Sequence, residues 1–154
     1  MDPKNVLQIL NRALQIEYAS AIQYLQHSFL VQGTERKVYS DFFRDHSEGS
    51  MKQAKQIGEH IVSLGGVPTV EPYLIKQSTN LREMLRFDLE LEQTALQIYQ
   101  EGVKACADHT PLKFFFEEQA YHEYEHSAEI EKLLEQKKVS LTEREIQMKK
   151  AKSA

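Results

Sequence analysis

Glu123-Tyr124-Glu125-His126 decides how this chain is read. Glu123 and His126 are three residues apart, so on a helix they share one face. The rest of that face is Leu112, Phe116, Gln119, Ile130 and Leu133, recurring at alternating spacings of four and three. That is the seam of a helix packed in a bundle. A carboxylate and an imidazole in such a seam are costly unless they are paired or hold a metal. On this stretch alone both readings stand: Glu123 and His126 satisfy each other, or they share a cation.

Working outward, three more helices carry comparable seams. The first runs Leu7, Leu10, Leu14, Glu17, Ala21, Tyr24, Ser28, Val31, with one acid in the stripe. The third runs Leu81, Leu85, Leu89, Glu92, Leu96, Tyr99, Val103, Cys106, again with one acid. The second, Phe43, His46, Ser50, Gln53, Ile57, His60, Leu64, is the most polar. Helices are predicted over about 1–33, 35–64, 80–107 and 111–138. Asp2-Pro3, Asn80 and Thr110-Pro111 serve as starts, and Gly33 and Gly65-Gly66 as stops. Thr142-Glu143-Arg144-Glu145 is a capping box for a short fifth helix at 142–150, followed by a disordered Lys-rich tail. Residues 67–79 are too many for a tight turn. Extended at about 3.3 Å per residue they reach ~40 Å, enough to run the length of a bundle. The fold class expected is all-α, a four-helix bundle with a long crossover between helices two and three.

Composition narrows the function. The 154 residues, 41% hydrophobic and 27% charged, suit one domain with a proper core. A net charge of −4 argues against nucleic acid as the main partner. No apolar run reaches the ~18 residues of a membrane span. Met1-Asp2-Pro3-Lys4 lacks the apolar core of a signal peptide, and the single cysteine, Cys106, excludes an internal disulfide. A cytoplasmic protein is expected.

Glu17, Glu92, Glu123 and His126 from three helices can converge at one level of the bundle. A Glu-x-x-His pair directed into a helical bundle is half of a di-iron carboxylate site. Carboxylates with one imidazole suit iron, manganese or zinc. Each glutamate also has a plainer reading, a seam-edge residue whose head reaches water. His46, one turn before Ser50, is either a substitute ligand or a histidine hydrogen-bonded in the seam. Tyr24, Tyr99 and Tyr121 are candidate neighbours of the centre. His60 is read as structural and Glu48 as solvated.

These stretches resemble the ferritin superfamily, bacterioferritin above all. The resemblance rests on Glu17 to Tyr24, on Met51 and the stop Leu64-Gly65-Gly66-Val67-Pro68, on Met84 to Glu92, and on Glu123 to His126. It implies a ferritin-like bundle with a short fifth helix, a dimer-based homo-oligomeric shell, and iron oxidation and storage. It also implies six ligands, a Glu on helices one and three and a Glu-x-x-His on helices two and four. This chain departs at helix two, where Ser50-Met51-Lys52-Gln53 replaces Glu-Met-Lys-His. By resemblance, Glu92, Glu123 and His126 keep one iron position, and the other retains only Glu17 and a share of Glu123. A partial ferroxidase centre is implied, with one or two irons per subunit and weak Fe(II) oxidation. Met51 matches the haem b ligand of bacterioferritins, with Ala54 and Gly58 leaving room beside it. Two alternatives follow: a non-catalytic or haem-carrying shell subunit paired with a second, catalytic ferritin-type subunit, or a small rubrerythrin-like peroxidase. Glu90 lies on a different face from Glu92, which counts against the latter. The DNA-binding proteins of starved cells place their metal site between subunits and lack a fifth helix, a poorer match.

Overall fold

The computed structural model describes residues 1–135 and 141–153. It contains five helices in order, α1 (Pro3–Leu30), α2 (Arg36–Ser63), α3 (Leu81–Ala105), α4 (Thr110–Leu133) and α5 (Glu143–Ser153). The expected caps form. The Asp2 carboxylate accepts from the Lys4 N–H and Asn80 Oδ1 from the Glu83 N–H, both at 3.0 Å. Arg36 donates to the carbonyls of Phe29 and Val31, satisfying the end of α1 while opening α2. Gly65 turns at φ +77°, which a Cβ would resist, and lets the Gly66 N–H reach the Ile61 carbonyl at 2.9 Å.

Three boundaries differ from expectation: α1 stops at Leu30, three residues before the expected end at 33. α4 ends at Leu133 because Glu135 adopts φ +56°, so the end expected at 138 falls outside the described residues. α5 continues to Ser153 where a disordered tail was expected. The Thr142–Glu145 capping box starts it, and it buries none of its side chains.

α1 pairs with α2, α3 with α4, and α1 with α3. Between α2 and α3 the chain climbs alongside α1. The Thr69 N–H meets Asn11 Oδ1 at 2.8 Å, the Tyr73 N–H meets the Gln15 carbonyl at 2.9 Å, and the Lys76 N–H meets Gln23 Oε1 at 2.9 Å. The crossover is therefore pinned to α1 by its backbone, and α2 and α3 run in the same direction.

The core falls into two apolar clusters. One holds Val6, Leu10, Leu14, Ile57, Ile61, Ile98, Tyr99 and Phe116 with their neighbours. The other holds Tyr24, Phe43, Met84, Leu85, Leu89, Ile130 and Leu134. The buried polar residues Glu17, Gln23, Ser50, Gln53, Asp88, Glu92, Gln119 and Glu123 belong to neither cluster.

Helix contact is close where α3 meets α4. A Cβ on Gly102 would overlap the ring of the fully buried Phe116, whereas one on Gly49 meets nothing within 4 Å. Gly102→Ala is expected to cost about 1–3 kcal/mol through overpacking. Gly49→Ala is expected to gain about 0.5–1 kcal/mol from the lower backbone entropy of the unfolded chain. Urea unfolding of the two variants would show the opposite signs.

Candidate metal centre

Each of the four long helices contributes to one buried polar layer. Glu17 of α1, Glu92 of α3 and Glu123 of α4 are all buried. His126 of α4 sits half-buried, with its Nδ1 3.4 Å from Glu92 Oε2 and 3.6 Å from Glu123 Oε2. From α2, His46 Nδ1 lies 3.8 Å from Glu92 Oε1. The rings of His46 and His126 meet edge to face at 4.7 Å. One ligand atom from each of His46, Glu92 and His126 falls within 4.8 Å of the others. Two imidazoles and a carboxylate so placed suit a first-row divalent cation.

The remaining donors are taken up by neighbours. The Tyr24 hydroxyl donates to Glu92, and the Tyr99 hydroxyl donates to Glu17 Oε1 at 2.5 Å. Gln53 Nε2 donates to Glu123 Oε1 at 2.8 Å and to Gln119 Oε1 at 2.9 Å. Ser50 also hydrogen-bonds Glu17. The two α2 positions that depart from the family's ligands are thus bonded to the carboxyl groups they sit beside.

Protons are shared unequally across the layer. Burial pushes the Glu17 carboxyl up to about 8, only partly offset by the Tyr99 hydroxyl. Burial and the neighbouring Glu92 charge push Glu123 well above the usual carboxylate range. Burial also acts on Glu92, but bonds from Glu123, His126 and Tyr24 outweigh it and hold Glu92 at about 2. Burial opposes protonation of His126, yet the adjacent Glu92 wins and raises it, whereas burial keeps His46 low. The surroundings therefore favour the ionised form of Glu92 and the protonated forms of Glu17 and Glu123.

The other singled-out residues lie elsewhere. Tyr121 is exposed and hydrogen-bonded to Glu125, so it does not join Tyr24 and Tyr99. His60 packs its ring 4.3 Å from Phe115, and Glu48 is exposed. Met51 is 41% exposed, and Gly58 beyond it has open space. Ala54 is turned into the core, so it does not widen a surface pocket as expected.

A second polar cluster was missed. Asp88, fully buried, receives Gln23 Nε2 and pairs with His27 Nδ1, both at 2.9 Å. The expectation of a single acid on the buried stripe of α3 is therefore corrected. α3 packs against both α1 and α4, so its buried face is wider than a heptad seam and takes in Asp88. Gln23, His27 and Asp88 all lie off the seams that the spacing of four and three picks out.

Comparison with known proteins now decides the family. A family model described as a ferritin-like domain matches residues 7–139. The chain belongs to the ferritin family. It is 34% identical over 133 residues to a nutrient stress-induced DNA-binding protein of Synechococcus, covering 73% of this chain and 75% of that one. A ferritin-like, diiron-carboxylate protein of Bacillus anthracis superposes with a TM-score of 0.84 at 30% identity, covering 87% of this chain and 99% of that one. Rhodobacter capsulatus bacterioferritin, solved with haem iron and a metal-free dinuclear site, superposes at 0.78 with 27% identity over 88% and 86% of the two chains. The bacterioferritin-like, four-helix character expected from the motifs is borne out. No helix among the described residues is long and apolar enough to cross a membrane.

The proton distribution has a consequence for stability. Glu17 has its pKa raised on folding from 4.5 to about 8, so the folded chain holds its proton more tightly than the unfolded one. That contribution is full below about 4.5 and is lost as pH rises through about 8. Metal-free protein in chelator is expected to lose a few kcal/mol across this window. Glu17→Gln should flatten that slope in denaturant titrations at successive pH values.

Proposed function

We propose that this chain is an iron-binding subunit of a ferritin-type shell, with a reduced Fe(II) oxidation centre at the level of Glu17, Glu92, Glu123 and His126. The observation that supports this most is the meeting of buried acids and imidazoles from all four long helices between two apolar clusters. An isolated carboxylate buried among hydrocarbon neighbours is strongly disfavoured, and a cation compensates for it. Fe(II) is the substrate. Glu92 and His126 grip it, and Tyr24 holds Glu92 in place by its hydroxyl. Binding displaces the proton on any carboxyl that becomes a ligand, so uptake releases acid. Oxidation then passes an electron from iron to dioxygen or peroxide. Gln53 supplies neutral amide protons where the family has an imidazole, so only slow oxidation is expected. The shell is read as a dimer-based homo-oligomer in the cytoplasm, formed by a single ferritin-like domain.

A second reading has its own support. Met51 is a half-exposed thioether with open space at Gly58 two helical turns along the same face. Met51 from each of two chains would then hold a haem iron through its sulfur, in a haem-carrying subunit assembled with a catalytic one. The small peroxidase alternative gains no support, since Glu90 lies on the surface and pairs with Lys76.

Anaerobic Fe(II) loading of purified shells tests the first reading. Iron should bind and then oxidise slowly in air, and Glu92→Ala with His126→Ala should abolish both. Iron-free protein that takes up haem through Met51 would favour the second reading instead.

A further inference from the structure

We infer that the cation position in this chain is a single site displaced toward the start of α2, formed by His46, Glu92 and His126. This rests on the proposed reading that a cation belongs in the polar layer, and it names the ligands. It differs from the family's arrangement, in which α2 supplies its ligands at the positions of Ser50 and Gln53.

Three observations carry it. The first is geometric. Among the described residues, His46, Glu92 and His126 have ligand atoms that gather within 4.8 Å of one another. His46 stands one helical turn before Ser50, so it reaches Glu92 from the side of the layer opposite Gln53.

The second is how His46 is held. Its ring stacks on Tyr24 at 4.9 Å and 27°, and packs on Phe42 at 4.4 Å. Tyr24 in turn donates to Glu92. One tyrosine thus positions an imidazole through its face and a carboxylate through its hydroxyl. Such outer partners orient metal ligands.

The third is what has happened to the other half of the layer. Gln53 directs an N–H at Glu123 and another at Gln119, so amide donors face the place where a second cation would need lone pairs. Glu17 is taken up by Tyr99 and Ser50. One position is closed by hydrogen bonds and another is furnished with two imidazoles.

Two histidines and one carboxylate leave coordination positions open, as in mononuclear Fe(II) and catalytic zinc sites. A cleft of about 240 Å³ between α2 and α4, lined by Gln53, Gln119, His122 and His126 among others, opens His126 to solvent from the Gln53 side of the layer. The ligand class is a single first-row divalent cation.

Cobalt(II) is the probe. Assembled, metal-free protein is titrated anaerobically, and metal bound per subunit is measured alongside proton NMR. Each ligating imidazole contributes one exchangeable N–H signal shifted far outside the normal range by the paramagnetic ion. One Co(II) per subunit and two shifted N–H signals are expected. His46→Phe keeps an aromatic ring against Tyr24 and Phe42 but offers no ligand. It should lose one signal and bind about 100-fold more weakly, as metal-site lesions do. His46→Ala should behave alike, and His60→Phe, at a ring distant from the layer, should match wild type. Two Co(II) per subunit, or a His46→Phe protein that binds as tightly as wild type, would overturn the displaced site and leave the iron-binding reading intact. Absence of binding by wild type would overturn both.

Discussion

Three buried carboxyl groups share one layer, and the whole bundle is arranged around that cost. Desolvation disfavours three adjacent negative charges, so it raises the pKa of Glu17 and Glu123 while hydrogen bonds lower that of Glu92. Glu92 tolerates its charge because Tyr24, Glu123 and His126 all donate to it. Two apolar clusters lie above and below, and they fix the height at which the helices must present these groups. The crossover along α1 completes the constraint. By pinning residues 69–76 to Asn11, Gln15 and Gln23, it lets α3 descend beside α1 so that Glu92 and Tyr99 face Glu17 and Tyr24.

The layer is tuned by substitution on one helix. A Glu-x-x-His on α2 would bring a fourth carboxylate and a second imidazole into a space already crowded with charge, sustainable only around two cations. Ser50 and Gln53 bring neutral donors, which satisfy Glu17 and Glu123 without any metal. On the proposed reading the layer holds a single cation, with His46 on the opposite side of Glu92 from Gln53.

Much of this was legible in the residues. The spacing of four and three placed Glu17, Glu92, Glu123 and His126 inward, since an α-helix has no freedom in where successive side chains point. Ser50 and Gln53 were also readable as neutral residues standing where the resemblance implies a glutamate and a histidine. Three features were not. Asp88 and His27 lie off the heptad seam, and only the extra packing of α3 against α1 buries them. The approach of His46 to both Glu92 and His126 depends on how far α2 and α4 stand apart, which no single helix encodes. The bonding of Gln53 to Glu123 and Gln119 likewise needs two helices at once. One-helix periodicity reveals which residues turn inward; partner choice across the bundle is decided by interhelical distance.

The most direct test is anomalous diffraction at the iron absorption edge from crystals of the assembled protein loaded with Fe(II) without oxygen. A cation layer predicts one strong anomalous peak between Glu92 and His126, within coordination distance of both. An empty layer in iron-loaded crystals, with Glu92 still bonded as in the metal-free chain, would contradict it.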